Sequence, residues 1–193
     1  MFKTKKIVRW IGIILILSGV LLLAASQFIG KKSVEKAEEV VKQIENLIPK
    51  HNSGMADMES EMPVYQIGDV DFIGLLELKS YQIKLPVANE SKTENIFSYP
   101  GRLWGNAYQN SLVLEGKNIE GQFEFLSQID VGEEIVFVDM TGAEFRYVVK
   151  RIDRVKKANI ENVLDTTYDL TLLTKDSRDN QYIVARCESI WSE

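Results

Sequence analysis

The stretch that decides the fold is Asp169-Leu170-Thr171-Leu172-Leu173-Thr174-Lys175 (DLTLLTK). Leucines and β-branched threonines from Leu170 to Thr174 are typical of a buried strand. Seven other short apolar segments follow Pro63, each bounded by glycine, proline or asparagine. Eight such segments in about 130 residues predict one all-β barrel or sandwich with a real core. The predicted strands are 64–67, 72–78, 82–87, 111–114, 134–139, 144–150, 167–174 and 182–188. Helical turns are predicted around 123–128 and 160–163.

The N-terminus has the pattern of a membrane anchor. Residues 10–29 are 20 uncharged residues, preceded by four basic ones. As a helix this run would be about 30 Å long, which matches a bilayer core. The leading charges favour a cytoplasmic N-terminus. The sequence therefore predicts a basic tail at 1–9, one transmembrane helix at 10–29 and a domain on the outer side of the cell membrane. A cleaved signal peptide, cut near Ala24, Ala25 and Ser26, is the alternative, but the run exceeds the usual length of such a core.

A juxtamembrane helix is predicted next, within residues 30–49. Ser33 can cap it and Pro49 ends it. Its apolar residues form a narrow seam at spacings of three and four: Val34, Ala37, Val41, Ile44 and Ile48. The seam fits either a stalk helix lying on the barrel or a short coiled-coil dimer contact. Residues 50–62 are predicted to be a flexible linker, in which His51 is an ordinary solvated residue, and 63–193 form the barrel domain.

The charge balance excludes one class of partner. Residues 33–193 carry 17 basic and 28 acidic residues, a net charge of −11, which argues against nucleic acid. The acidic residues show no convincing metal-ligand spacing, and no cofactor is predicted. The single cysteine, Cys187, lies near a strand end and is predicted to be a packed thiol. A role as nucleophile stays open at this point.

The segment Leu170–Lys175 resembles the strand that ends in Thr-Leu-x-Thr-Cys in sortases, the membrane-anchored cysteine transpeptidases of Gram-positive bacteria. Four further blocks resemble that family in the right order, so that the resemblance covers roughly residues 64–188. They are the hairpin Phe72–Val87 ending in Leu-Pro-Val, Ser111–Asn118, Phe123–Ile135 and Thr141–Val149. The resemblance implies a sortase-like closed eight-stranded β-barrel with short helices. A calcium site, as in some sortases, stays open.

The departures from the family fall on its catalytic positions. Lys175 occupies the position of the nucleophilic cysteine, and Lys117, after Gly116, that of the histidine. Gln181 begins the strand that starts with the catalytic arginine in the family. A slipped loop would instead let Arg178 or Arg186 supply a guanidinium.

These replacements remove each part of acyl transfer. A lysine amine is mostly protonated at neutral pH, and its attack on a peptide would give a stable amide. The proton donor and the charged oxyanion donor are missing as well. We therefore predict a catalytically inactive sortase-like protein that binds a surface-protein peptide, a wall polymer or an active sortase. The alternatives are an active enzyme with substituted chemistry and a structural envelope protein. Lys117 and Lys175 are the candidate anion- or peptide-binding pair. The alternative, which the flexibility and ready solvation of lysine favour, is that both point to water.

Overall fold

The computed structural model describes residues 13–14, 16–19, 34–49, 61–91, 98–157, 163–164, 167–176, 178–179 and 181–190. The predicted basic tail and His51 lie outside these ranges, as does most of the predicted linker. Residues 13–14 and 16–19 are helical, and helix α1 spans 34–47. Within the described ranges, no helix is both long enough and apolar enough to cross a membrane.

In the part of the chain that the structure describes, nine strands follow α1, and three short 3₁₀ helices lie between them. The strands are β1 (Tyr65–Ile67), β2 (Val70–Leu78), β3 (Ile83–Ala88), β4 (Gly101–Trp104), β5 (Leu112–Gly116), β6 (Glu134–Asp139), β7 (Glu144–Lys156), β8 (Leu170–Asp176) and β9 (Gln181–Ser189). The 3₁₀ helices span Lys79–Tyr81, Ala107–Gln109 and Phe123–Ser127.

Eight of the strands form a closed barrel. The sheet order is β1-β2-β3-β4-β5-β8-β9-β7-β6, and β2 also pairs with β6, which closes the ring of β2 to β9. Closure leaves no free edge strand in the ring, although β3 and β4 pair only through Ala88 and Gly101. Strand β1 lies outside the ring and pairs with β2 alone. The predicted closed eight-stranded barrel is confirmed.

The ring contains one strand that the sequence did not predict. Strand β4 is only four residues long, and Leu103 and Trp104 in it are exposed, so it lacks the apolar pattern of a buried strand. Strand β7 continues to Lys156, beyond the predicted end at residue 150. Its second half carries charged residues and is held by a ladder to β9 rather than by apolar alternation.

One apolar core fills the barrel. It is built from inward-facing residues of every strand from β2 to β9 except β4, with Phe123, Phe125 and Leu126 from the third 3₁₀ helix. Met62, the last residue of the predicted linker, is buried in this core. Burial of this continuous set is the main favourable term for the fold.

Helix α1 covers one outer face of the barrel. Its apolar side packs against β2 and the loops beside it, in a cluster made of Ala37, Val40, Val41, Ile44, Phe72, Leu75, Tyr99 and Met140. An ion pair of 2.6 Å joins Glu45 of α1 to Lys84 of β3. The apolar seam of the helix is thus buried within the chain, as the stalk-helix interpretation requires.

Candidate functional site

The ends of β5 and β8 meet the start of β9 at the place that the family resemblance assigns to the catalytic residues. Strands β5 and β8 are parallel, and their last paired residues are Gly116 and Thr174. Lys117 and Lys175 are the residues that follow this last pair. The backbones of neighbouring strands lie about 5 Å apart in a sheet. On the other side of β8, Lys175 pairs with Tyr182 and Asp176 pairs with Gln181. The structure therefore brings Lys117, Lys175 and Gln181 to one end of the barrel.

The two lysines belong to the outer face of the barrel. In β8, Leu170 and Leu172 point into the core, whereas Leu173 joins a separate outer cluster. Side chains alternate along a strand, so Lys175 shares the side of Leu173, and it is exposed. Gln181 has the opposite parity and lies toward the mouth of the barrel.

The backbone around Lys117 is held tightly. A side chain at Gly116 would meet the Phe123 ring at 2.7 Å, so only glycine fits beneath that ring. The Lys117 N–H donates to Gln122 Oε1 at 3.0 Å, and the Phe123 N–H donates to the Lys117 carbonyl at 3.0 Å. Partial burial lowers the pKa of the Lys117 ammonium, because desolvation disfavours the charged form.

The two alternative arginines, Arg178 and Arg186, are each engaged in other contacts. Arg178 is mostly exposed and is bound to Asp176, at 3.2 Å from Nε to Oδ1. Arg154 donates to the other oxygen of Asp176 at 3.0 Å. These contacts, those of Arg178 foremost, lower the pKa of Asp176 from 3.8 to about 2. Asp176 thus stays ionised and holds both guanidinium groups at the mouth of the barrel.

Arg186 lies on the outer face of the barrel, where it contacts the β7–β8 connection. It is 6% exposed, donates from Nη1 to the Val163 carbonyl at 2.8 Å and to Thr171 Oγ1 at 3.2 Å, and lies 5.6 Å from the Tyr168 ring. Val163 is itself fully buried against the outer cluster. Arg186 therefore fastens the connection between β7 and β8 onto the barrel.

Cys187 faces the interior of the barrel and is fully buried. Burial raises the pKa of its thiol well above the ordinary value, so the reactive thiolate is disfavoured. The structure gives no support to the interpretation of Cys187 as a relocated nucleophile.

The outer face also holds groups that sequence reasoning did not select. Glu115 pairs across the ladder with Leu173, and its Oε2 accepts a hydrogen bond from Ser91 Oγ at 2.8 Å. Burial and then the charge of Glu115 raise the pKa of Tyr182. Trp104, paired with Val113, is 45% exposed. Only the strand register reveals this neighbourhood, because its members lie far apart in the sequence.

The face thus combines two lysines, Glu115 and Tyr182 around the ends of β5 and β8 and the start of β9. Trp104 lies farther along the same face, beside Val113. Such a surface can bind an anionic or mixed-charge ligand. Among the described residues, no group of three or more His, Cys, Asp or Glu side chains is placed to hold a metal ion.

Comparison with known proteins agrees on the fold. Sortase A from Corynebacterium diphtheriae shares 16% identity at a TM-score of 0.56, and 85% of each chain is covered. Sortase C from Clostridium perfringens SM101 shares 19% at 0.53, covering 83% of this chain and 87% of that one. Sortase C1 from Streptococcus suis shares 20% at 0.55, covering 63% and 74%. No family model matches the chain, and no curated protein matches it in sequence. At these identities the likeness shows the sortase fold alone.

Proposed function

We propose that this protein is a membrane-anchored sortase-fold protein without transpeptidase activity, which binds an anionic group of a peptide or wall polymer at Lys117 and Lys175. The observation that carries the proposal is the pairing of β5 with β8. It makes Lys117 and Lys175 neighbours just beyond two paired strand ends, at the positions that the family resemblance assigns to histidine and cysteine.

Two neighbouring cations favour an anion between them. Like charges on adjacent strands repel, and a bound carboxylate or phosphate would relieve that repulsion. The partial desolvation of Lys117 adds to this, because an ammonium with less water gains more from a direct ionic partner. A catalytic use of the pair is disfavoured, since neither lysine supplies a good leaving group for acyl transfer.

Membrane anchoring is supported by the sequence of residues 10–29 and by the exposure of its described part. Ile14, Ile16 and Leu17 are helical and 61–68% exposed, so the barrel does not cover them. Exposed apolar side chains of this kind are expected to be buried in lipid. The preceding basic residues support an orientation with the barrel at the outer surface of the cell.

Titration of the full chain in detergent tests the proposal. Carboxylate-terminated peptides and phosphate-containing wall-polymer fragments should bind, and binding should weaken as salt is added. Lys117→Ala and Lys175→Ala should each weaken binding about fivefold, or roughly 1 kcal/mol, as expected for a partly exposed ionic contact. Lys79→Ala is the matched control, because Lys79 is exposed and follows β2, which lies across the ring from β8 and pairs with neither β5 nor β8.

The same preparation separates the competing functions. Fluorogenic sorting-signal peptides should not be turned over. Turnover that Lys175→Ala abolishes would establish an active enzyme with substituted chemistry. Unchanged affinity in the double lysine variant would move the function to another face, as expected for a structural envelope protein.

A further inference from the structure

A carboxylate lies on the outer face of the barrel, close to the two lysines. In β5, Leu112 and Leu114 belong to the barrel core, whereas Val113 belongs to the outer cluster. Because side chains alternate along a strand, Glu115 lies on the outer side with Val113, and it is half-buried. Its partner across the ladder is the apolar residue Leu173 of β8. Glu115 is therefore a partly desolvated anion beside an apolar patch, and such an anion gains from a direct cationic partner.

Neighbouring groups hold the Glu115 side chain on this face. Ser91 Oγ donates to Glu115 Oε2 at 2.8 Å, and the Ser91 N–H donates to the Arg102 carbonyl of β4 at 2.8 Å. Burial, and then the negative charge of Glu115, raises the pKa of Tyr182. Tyr182 is the cross-strand partner of Lys175. The carboxylate is thus anchored on its β4 side and lies within electrostatic range of the strand that pairs with Lys175.

The strand register sets the distance between the negative and the positive positions. Glu115 precedes Lys117 by two residues on one strand, and its partner Leu173 precedes Lys175 by two residues on the other. Residues two apart on a strand are separated by about 7 Å. The face therefore presents one negative position at about this distance from two neighbouring positive positions.

That separation matches the terminus of a peptide that ends in lysine. The side-chain ammonium of a lysine lies about 6 to 7 Å from its own α-carboxylate when the four-carbon stem is extended. Such a terminus can place its carboxylate at Lys117 and Lys175 and its ammonium at Glu115. A polymer with successive phosphates would instead bring negative charge next to Glu115. The net charge of −11 over residues 33–193 also disfavours a polyanion.

We propose that the outer face binds the C-terminal lysine of a peptide, with the ligand's carboxylate between Lys117 and Lys175 and its side-chain ammonium on Glu115. This inference rests on the proposed function, because the same two lysines hold the anion. It goes further by choosing a peptide over a wall polymer and by making Glu115 a specificity-determining residue. Glu115 selects by attracting the ammonium and by repelling a second anion.

Calorimetric titration of the full chain in detergent with two peptides tests the ammonium contact. Both peptides are acetylated at the N-terminus and differ only in the last residue, which is lysine in one and norleucine in the other. Wild type should bind the lysine peptide about fivefold more tightly, as expected for a partly exposed ionic contact. Glu115→Gln, which keeps an oxygen acceptor for Ser91, should remove that difference by weakening the lysine peptide alone.

Glu188→Gln is the matched control with the same change in charge. Glu188 is exposed and lies on the outer side of β9, because Ile183, Ala185 and Cys187 face the core. It follows Tyr182 by six residues, or about 20 Å along the strand, so the variant should keep the fivefold preference. Equal affinities of the two peptides for wild type, or an equal response of the two variants, would overturn the inference. Loss of both peptides in Glu115→Gln would also overturn it, because Glu115 would then only support the local structure.

Inorganic polyphosphate tests the repulsion, and here the expected change has the opposite sign. At about 0.15 M salt the Debye length is about 8 Å, so only nearby charges act on the ligand. Glu115→Gln should bind polyphosphate about two- to fivefold more tightly than wild type, whereas Glu188→Gln should bind it as wild type does. Unchanged or weaker binding by Glu115→Gln would overturn the choice of a peptide over a polymer.

The norleucine peptide separates this inference from the proposed function, because it carries the carboxylate but no ammonium. If Lys117→Ala and Lys175→Ala weaken its binding while wild type shows no preference for the lysine peptide, the inference fails and the proposed function stands. If neither variant weakens the binding of either peptide, both fail.

Discussion

The outer surface of the barrel is covered in two places, and the two covers differ in kind. Under α1 the covered side chains are all apolar, and Phe72 and Ile44 are fully buried. In the described part of the connection from β7 to β8, Val163 and Leu164 pack against Val113, Leu173 and Val184. Beyond them the same face continues into Glu115 and the lysines. The first cover buries an apolar face, whereas the described part of the second borders charged side chains.

Helix α1 and the β7–β8 connection are held on the barrel by different interactions. Helix α1 contributes four buried apolar residues at helical spacing, which stabilise it without any buried charge. The β7–β8 connection is held by one buried guanidinium that binds a backbone carbonyl. A helix docked by apolar area tolerates salt and pH, while a segment held by one charged side chain can be released by one substitution.

Ile44→Ala should have the largest effect. Ile44 is fully buried between α1 and the barrel, so truncation removes apolar contacts and leaves a cavity. The free energy of unfolding should fall by about 3 kcal/mol, measured by denaturant titration. Leu47→Ala, in the same helix but 47% exposed, should change it by less than about 0.5 kcal/mol. Equal effects of the two variants would show that α1 does not depend on this face.

Arg186→Met should come next. Methionine keeps most of the apolar stem but leaves the Val163 carbonyl without this donor, which should cost about 2 kcal/mol. Amide exchange on both sides of Val163 should accelerate while exchange within α1 stays unchanged. Arg151→Met is the control, because the Arg151 side chain is 64% exposed. A slow, unchanged exchange at Val163 would mean that apolar packing alone holds this cover.

Much of the barrel was predictable because its strands bury alternating apolar residues. All eight predicted segments are strands, and Glu134–Asp139 has the predicted bounds. Strand β4 escaped because a four-residue strand with exposed Leu103 and Trp104 has no burial pattern to detect. The second half of β7 escaped because its charged residues are held by backbone pairing with β9.

The candidate site was predictable only through the family resemblance. Lys117 and Lys175 stand 58 positions apart, and nothing local to either residue indicates that their strands are parallel neighbours. Register then adds Glu115 and Tyr182, which carry no motif. The role of Arg186 was also invisible, because its partner is a backbone carbonyl of a distant connection and leaves no mark on sequence composition.

Asp176→Asn should give the smallest effect on stability. Asp176 lies at the mouth of the barrel, next to Lys175. The pKa of Asp176 is lowered to about 2 from its ordinary value of 3.8, chiefly by Arg178. A carboxylate with a lowered folded-state pKa stabilises the protein fully above its unfolded-state pKa, and this contribution is lost as pH falls through the folded-state pKa. Wild type should therefore be more stable than Asp176→Asn at neutral pH, and the gap should close between about pH 4 and pH 2. The effect is small because the partners, Arg154 and Arg178, are 49% and 77% exposed and therefore screened by water.

Arg178→Gln should shift the carboxyl titration of Asp176 upward, as followed by NMR. A titration of wild-type Asp176 at or above its ordinary pKa would show that the arginines do not hold this carboxylate, and the mouth of the barrel would then carry two unrestrained cations beside Lys175.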